Sequence, residues 1–291
     1  MVTIAVVNNK GGVGKSTLTC SFAQALALVG QKVLCIDNDN QRNLATMLGI
    51  TNTADSSIRD LYQLKDPSRL DREDLDRAIA DCVLESTIPE LHCITAPDSL
   101  CDDDVLDEKI LSTIFSKSFM PTFYDFVLID NHPGIAKLQR ASLHAADFVF
   151  IPTELQQLAV NGLSIMMQYL TKVFHFKADH VRIIVNKYRE TIRQDSFYES
   201  IRNMFPDSAT ETAIPVDPIF DEIITDKKIL FLDRLKSSRA VPFIVKLMTE
   251  IFPYTEDSLY DDILQQRNKH LADNARLRMM QSRNKRPGGS K

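Results

Sequence analysis

Residues 8–17 read Asn-Asn-Lys-Gly-Gly-Val-Gly-Lys-Ser-Thr, a set of residue types suited to binding phosphate groups. They lie between an apolar run at residues 4–7, typical of a strand, and a helical pattern over residues 18–29. Glycines let backbone N–H groups approach an anion closely, and the N-terminus of a helix adds partial positive charge. We therefore predict that Lys15 reaches the outer phosphates of a nucleotide and that the Ser16 hydroxyl is placed for Mg²⁺.

Two later apolar runs end in aspartates. Asp37 and Asp39 follow the run at residues 33–36, and Asp130 follows the run at residues 126–129. The carboxyl ends of parallel strands line one ligand crevice, so we expect these acids to lie near the phosphates. A single aspartate after a buried strand is a hard oxygen ligand for Mg²⁺, usually acting through a water. For Asp37 and Asp39, simple capping of a strand and a turn is the alternative.

The glycine segment departs from an ordinary phosphate-binding loop at its beginning. Asn9 stands where glycine is usual, and a second lysine, Lys10, comes directly before the glycine pair. This pattern resembles the deviant Walker A motif of the ParA/MinD family of P-loop ATPases, in which the first lysine is the signature residue. Within the family, the chain resembles most the ParA-type partition ATPases, over roughly residues 1–252. The alternative is a glycine-rich turn with solvated lysines.

The resemblance implies roles for residues at matching positions. The residues 37–43 match the family pattern D-x-D-x-Q-x-N, in which the second acid lies in a switch region and positions the hydrolytic water. The matching Asn186 of this chain would hydrogen-bond the adenine ring, to which an amide offers both a donor and an acceptor. The residues expected to take part in hydrolysis are Lys10, Lys15 and Asp39. Those expected to hold Mg²⁺ are Ser16, Asp37 and Asp130, the acids through water. Those expected to bind ATP are Lys10, Gly11, Gly12, Val13, Gly14, Lys15, Ser16, Thr17, Asn186 and Pro215.

Two departures from the family pattern concern loops that follow predicted strands. From Asp130 the family normally reads D-x-P-P or D-C-P-P, whereas residues 131–134 of this chain read Asn-His-Pro-Gly. His132 is therefore a departure, and a lone histidine in a loop is more often a surface or packing residue. Glu154 and Gln156 reverse the family's usual Q-x-E spacing. The resemblance therefore leaves the contacts of these side chains open.

Composition and pattern indicate one α/β domain with a doubly wound, mostly parallel sheet flanked by helices. The chain has 291 residues, of which 44% are apolar, enough for a sizeable core. We expect a last strand at residues 212–215, an ATPase domain over residues 1–252, and a helical and basic C-terminal extension over residues 253–291. Five cysteines without a C-x-x-C pair suggest buried thiols rather than a metal site. With no apolar run near 18 residues, we expect a cytoplasmic protein, with nucleoid association as an option.

The net charge of −5 argues against a uniformly basic nucleic-acid binder, so DNA contacts would come from local patches. Local clusters of basic residues supply candidates for phosphate contacts. These candidates are Lys187, Arg189, Arg193, Lys227, Lys228, Arg234, Lys236, Arg239, Arg283, Lys285 and Arg286. The C-terminal extension could instead only aid solubility, or bind lipid, although it has few apolar residues for a membrane anchor.

The resemblance implies an ATP-dependent dimerising switch with slow, Mg²⁺-dependent ATPase activity that partitions or positions DNA. Its expected cofactors are ATP and Mg²⁺. Its expected partners are a second copy of the chain, non-specific DNA, and a ParB-like centromere- or cargo-binding adaptor that stimulates hydrolysis. The alternatives are a MinD-like ATPase that acts on a membrane or another cargo, and a metabolic P-loop enzyme.

Overall fold

A seven-stranded sheet organises the fold in the computed structural model, which describes residues 1–50, 56–156, 159–226, 229–254 and 256–284. The strands are β1 (Val2–Val6), β2 (Val33–Asn38), β3 (Val83–Glu85), β4 (Leu91–Ile94), β5 (Phe126–Asn131), β6 (Phe148–Thr153) and β7 (Val181–Val185). Their order is β3-β4-β2-β5-β1-β6-β7. Every pairing is parallel except that of β3 with β4. The predicted doubly wound, mostly parallel α/β fold is confirmed.

Helices flank the sheet. They are α1 (Lys15–Leu28), α2 (Asn43–Met47), α3 (Ile58–Tyr62), α4 (Arg72–Ala80), α5 (Ile110–Lys117), α6 (Met120–Phe123), α7 (Lys137–Ala145), α8 (Ala159–Val173), α9 (Ile192–Met204), α10 (Ile219–Asp226), α11 (Leu230–Asp233), α12 (Val241–Ile251) and α13 (Glu256–Asn284). Short 3₁₀ turns lie at Asp102–Asp104 and Ala178–His180. None of the helices in the described ranges has the length and apolarity needed to cross a bilayer.

Alternation along the strands divides the apolar side chains between the two faces of the sheet. In β1, Ile4 and Val6 pack into one buried cluster with Phe22 of α1, whereas Ala5 packs into another that includes Leu163 of α8. A strand that is covered on both faces has apolar residues at nearly every position, so it appears in the sequence as a continuous apolar run. These strands could therefore be predicted from the sequence. The carboxyl ends of β1, β2 and β5 thus meet in the middle of the sheet.

The prediction of a last strand at residues 212–215 is wrong. Ile214 does donate its N–H to Val185 O at 2.8 Å and accept from Tyr188 N at 2.9 Å. The pairing amounts only to an isolated bridge between Tyr188 and Pro215. Val216 N also donates to Tyr188 O at 3.1 Å, so the bonds lie on either side of Pro215 and do not continue into a ladder that would count as a strand.

Apolar side chains from the first turns of α13 are buried in the main hydrophobic core. Leu259 and Ile263 are fully buried in the same cluster as residues of α1 and α12, and Arg267 Nε donates to Leu232 O at 2.7 Å. The division of the chain at residue 252 stays a prediction. At least this part of the extension packs as an integral helix of the domain.

Truncating Ile263 tests this packing. Ile263→Ala should lower the free energy of unfolding by about 2–5 kcal/mol, because it removes fully buried methyl groups and leaves a cavity. Leu271→Ala, on the same helix but with Leu271 39% exposed, is the matched control and should cost under about 1 kcal/mol. Urea denaturation of both full-length variants measures the difference. Equal losses would mean that α13 does not dock as described.

Candidate functional site

The glycine segment joins the end of β1 to the first residue of α1. Gly12 and Gly14 adopt positive φ angles of 74° and 95°, a region that side chains other than glycine rarely occupy. Asn186, just after β7, donates from Nδ2 to Val13 O at 2.8 Å. A Cβ on Gly14 would lie 2.1 Å from that nitrogen. Gly14 is therefore required both by its backbone conformation and by the close approach of Asn186.

A cleft of about 730 Å³ opens over this loop. It is lined by Gly12 and residues 14–17, by residues of the loop after β2, by His132 and Pro133 after β5, by residues 186–187 after β7, and by residues from 215 to 221. This volume lies in the range of pockets that hold small ligands and cofactors. Most of the predicted ATP contacts border this one cleft, as expected at the carboxyl ends of the strands of an open α/β sheet. They are Gly12, Gly14, Lys15, Ser16, Thr17, Asn186 and Pro215, whereas Lys10, Gly11 and Val13 are not among the residues that line it.

Lys15 lies at the floor of the cleft and is only 7% exposed. Its Nζ is 3.4 Å from Lys10 O, an acceptor within the loop itself. Burial lowers the pKa of Lys15, while the nearby carboxylates of Asp130 and Asp39 oppose that shift. An ammonium group of this kind, with three donors and little water around it, is suited to bind an anion that enters from the cleft.

Asp130, at the end of β5, is fully buried, and neither carboxylate oxygen has a hydrogen-bond partner among the described residues. Burial raises the pKa of Asp130 well above its usual range, and Asp37 raises it further, while the Ser16 hydroxyl and Lys15 act in the opposite direction. A buried carboxylate without a partner is costly unless a cation satisfies it. Asp130 and the Ser16 hydroxyl therefore fit a hard cation such as Mg²⁺.

Such a cation would need further ligands from outside the protein. Over the described ranges, no group of three or more His, Cys, Asp or Glu side chains is placed to hold a metal ion. Mg²⁺ commonly binds through one or two carboxylates together with waters and substrate phosphates. The site therefore fits Mg²⁺ that is shared with a nucleotide.

The two aspartates after β2 have different tasks. Asp37 is fully buried and accepts hydrogen bonds from Ala45 N at 3.0 Å and Asp39 N at 3.3 Å, which fixes the loop and the start of α2. Burial raises the pKa of Asp37 to about 7 against the effect of these bonds. Asp39 lines the cleft and accepts from Gln41 N at 3.0 Å. The loop-fixing bonds of Asp37 were not foreseen, and its role toward Mg²⁺ stays a prediction.

Lys10 has half of its side chain exposed and lines a separate cavity of about 240 Å³ together with Glu154 and Gln156. Its Nζ donates to Gln156 Oε1 at 2.6 Å and lies 3.6 Å from Glu154 Oε2. Lys187 Nζ lies 2.8 Å from the other oxygen of Glu154 and donates to Gly12 O at 2.6 Å. The reversed pair of Glu154 and Gln156 thus holds the signature lysine, a contact that the sequence left open.

Two other expected positions also lie at the cleft. The Nδ2 donor of Asn186 is engaged by the glycine loop, and its contact with adenine stays a prediction. His132, considered a surface or packing residue from the sequence, lines the cleft beside Pro133. The signal that could have identified it is its place in the loop directly after Asp130, the aspartate at the end of a buried strand.

The DNA candidates are distributed over several elements. Lys187 is engaged at the cleft edge, which argues against it as a DNA contact. Arg234 pairs with Glu222 at 3.2 Å, and the Arg193 guanidinium lies 5.7 Å from the ring centre of Phe197. The exposed candidates are Arg189, Arg193, Lys236 and Arg239. Arg283 lies in the last turn of α13. The candidates outside the described residues are Lys227, Lys228, Lys285 and Arg286.

The sheet order, the glycine loop and the carboxylate beneath it define a P-loop nucleotide-binding protein. A family model described as "AAA domain" matches residues 1–183. The chromosome partitioning protein ParA of Caulobacter vibrioides is 26% identical over 265 residues, covering 87% of this chain and 95% of the relative. The sporulation initiation inhibitor protein Soj of Bacillus subtilis is 28% identical over 220 residues, covering 73% and 83%. The chain belongs to the ParA/MinD family of P-loop ATPases.

A solved structure supports the same fold. The septum site-determining protein MinD of Pyrococcus horikoshii, in complex with Mg-ADP, has a TM-score of 0.66 and 20% identity. The match covers 86% of this chain and 95% of that structure. Binding of ATP and Mg²⁺ by this chain is consistent with its family and with the donor set around Asp130.

The Gly14 contact can be tested by adding a single methyl group. Gly14→Ala should reduce nucleotide affinity and lower the melting temperature, because it forces both a strained φ and a collision with Asn186. Gly12→Ala is the matched control, with a similar positive φ but no atom within 4 Å of the new Cβ. Adding Asn186→Ala to Gly14→Ala should restore part of the stability. Equal losses in the two glycine variants would leave backbone strain as the whole explanation.

Proposed function

We propose that this chain is an ATP-dependent dimerising switch with slow, Mg²⁺-dependent ATPase activity that partitions or positions DNA in the cytoplasm. The single observation that supports this most is the different placement of the two lysines of the glycine loop. Lys15 is buried and lines the cleft, whereas Lys10 is half exposed and lines a separate, smaller cavity. One cation can serve the nucleotide of its own subunit, and the other is accessible to a second subunit.

Within one subunit, each polar group at the cleft has a distinct task. The Lys15 ammonium and the N-terminus of α1 neutralise the outer phosphates. Ser16 and Asp130 hold Mg²⁺, which offsets charge on the transferring phosphoryl group. Asp39, at the cleft wall, accepts a hydrogen bond from the attacking water and orients it.

The exposed Lys10 accounts for the dimerising part of the proposal. With two cleft faces together, Lys10 of each subunit reaches the phosphates that the other subunit binds. A cation supplied in this way can contribute about 10³ to 10⁵ in rate once it is fully placed. A subunit without its partner is therefore slow. Two nucleotides facing each other would also repel unless such cations lay between them.

The first experiment measures nucleotide binding and hydrolysis by the purified chain. Lys15→Ala should abolish ATP binding at concentrations that saturate the parent protein. Hydrogen bonds to charged groups contribute about 1.5–3 kcal/mol each, and this substitution removes several donors at once. Lys65→Ala, an exposed lysine outside the cleft, is the control. Unchanged affinity in Lys15→Ala would remove the residue from the site.

The second experiment separates Lys10 from an ordinary surface lysine. Lys10→Ala should keep nucleotide binding but lose dimerisation driven by ATP, measured by analytical ultracentrifugation with ATP and Mg²⁺. Lys65→Ala, an exposed lysine outside the cleft, is the control and should dimerise and hydrolyse ATP as the parent does. If both variants dimerise and hydrolyse ATP as the parent does, the proposed switch loses its main support.

Because the chain is acidic overall, DNA binding must use local patches of Lys and Arg side chains. A dimer carries two copies of each patch, so its binding to one DNA molecule becomes bivalent. The candidates that best retain this role are the exposed Arg189, Arg193, Lys236 and Arg239, together with the basic C-terminal end. A ParB-like adaptor would stimulate hydrolysis. Binding to a membrane is the second candidate, since a long C-terminal helix is also compatible with an interfacial anchor, although its apolar residues are few.

The salt dependence of binding tests the DNA role. With about four to six phosphates neutralised, log affinity should fall against log salt with a slope of roughly −4 to −5, and only with ATP present. Replacing Arg283, Lys285 and Arg286 with alanine should flatten this slope. The control replaces the exposed Lys65, Arg69 and Arg72, which are not candidates. DNA binding that is equally strong without ATP, or that does not depend on salt, would contradict the mechanism. If the protein with ATP does not bind DNA but cosediments with anionic liposomes, the membrane-binding alternative is favoured.

A further inference from the structure

Beneath the strand ends that border the cleft lies a cluster of four polar side chains, which we call the amide cluster: Asn38, Asn131, Ser142 and Tyr62. Each is at most 1% exposed. They come from β2, β5, α7 and α3, four elements that are far apart in the sequence. Polar groups this deeply buried are tolerated only when their hydrogen bonds are made.

The amide cluster makes these bonds internally. Asn38 Nδ2 donates to Asn131 Oδ1 at 3.0 Å, to Leu138 O at 3.1 Å and to Ser142 Oγ at 3.2 Å. Tyr62 OH donates to Asn38 Oδ1 at 3.1 Å, and Ser142 Oγ donates to Asn131 Oδ1 at 2.6 Å. The four side chains therefore form one connected network.

The remaining donor of the cluster reaches the third strand of the site. Asn131 Nδ2 lies 3.3 Å from Val6 O, in the last residue of β1 before the glycine loop, and 3.2 Å from Ile129 O. The network is thus bonded to the ends of β1, β2 and β5. These are the three strands whose following loops form the phosphate end of the cleft.

The register explains why the cluster lies next to the site and not in it. Asn38 pairs with Asn131 across β2 and β5, and Asp37 pairs with Asp130 one position earlier. Because side chains alternate along a strand, the two aspartates point to one face and the two asparagines to the other. Both asparagines stand at variable positions of the family pattern, each directly after a strand-end aspartate.

We propose that Asn38 and Asn131 are positioning residues, which hold the loop of Asp39 and the loop of His132 in one fixed arrangement through their bonds to α7. The proposal rests on the proposed ATPase function. Leu138 O and Ser142 Oγ lie in the first two turns of α7, which begins three residues after Gly134. If α7 shifts relative to β2, buried amide atoms lose their partners, and each such loss is expensive. The helix and both loops therefore move together or not at all.

The alternative is that the amide cluster only stabilises the core. Its disruption would then lower the stability of the whole domain, with no selective effect on exchange in α7 or on the Mg²⁺ requirement for turnover. If the cluster positions the loops, a substitution in β2 should loosen α7 as well as the loop after β2. It should also change the Mg²⁺ dependence of ATP turnover, although neither asparagine lines the nucleotide cleft. The two readings can be separated with one set of variants.

The experiment compares Asn38→Ala, Asn131→Ala and the double variant with Leu247→Ala. Leu247 is fully buried on α12, in an apolar cluster that contains no residue of α3 or α7, and serves as a control for loss of stability. Hydrogen–deuterium exchange without nucleotide follows residues 39–45 and 132–142. Turnover of ATP is then measured across a Mg²⁺ titration with full-length protein.

We expect Asn38→Ala to speed exchange in both segments, including α7, whereas Leu247→Ala should not do so selectively. Turnover should fall about 10- to 100-fold, and the Mg²⁺ concentration for half-maximal rate should rise about tenfold, as for residues that orient metal ligands from behind. The double variant should be little worse than either single variant, because the two side chains act as one unit.

The outcomes distinguish this inference from the function on which it rests. If the parent protein does not hydrolyse ATP, the proposed function fails, while the exchange data still decide whether the cluster couples β2 to α7. If the parent hydrolyses ATP and Asn38→Ala leaves α7 exchange and the Mg²⁺ requirement unchanged, the positioning role is overturned and the ATPase assignment stands.

Discussion

Two carboxylates, Asp37 and Asp130, are fully buried side by side in register at the carboxyl ends of β2 and β5, and the rest of the site depends on this pair. Burial raises both pKa values, and the charge of Asp37 raises that of Asp130 further. The fold compensates the two carboxylates unequally. Asp37 accepts from two backbone N–H groups, whereas the groups that favour the charged form of Asp130 are Ser16 and Lys15. This imbalance at Asp130 suits the cleft to a cation that arrives with its own anionic ligand.

Much of this site could be predicted because its signals are local in sequence. The glycine loop, its two lysines and the aspartates after buried strands each follow from a few adjacent residues. The parallel sheet then brings them together, since strands buried on both faces end at a common edge. The class of fold and the phosphate end of the cleft were therefore accessible from the sequence.

The contacts that sequence reasoning missed join residues that are distant in the chain. Asn186 clamps Val13 and crowds Gly14, and Glu154 engages both Lys10 and Lys187. Neither contact has a periodic or compositional signal. The antiparallel β3 escaped notice because it has only three residues, and residues 212–215 resembled a strand although their pairing with Tyr188 is an isolated bridge. In each case the outcome depends on tertiary geometry and not on local propensity.

The C-terminal helix sets the reach of the last residues. At a rise of about 1.5 Å per residue, the 29 residues of α13 span about 43 Å. Its first turns are held in the core by Leu259 and Ile263. The far end of a helix that is anchored at its start can occupy only a narrow region of space. A flexible linker of equal length would let its end reach a much larger volume. The described end of α13 at Asn284 therefore lies at a set distance and direction from the nucleotide cleft, and two such helices on a symmetric dimer would have a defined separation.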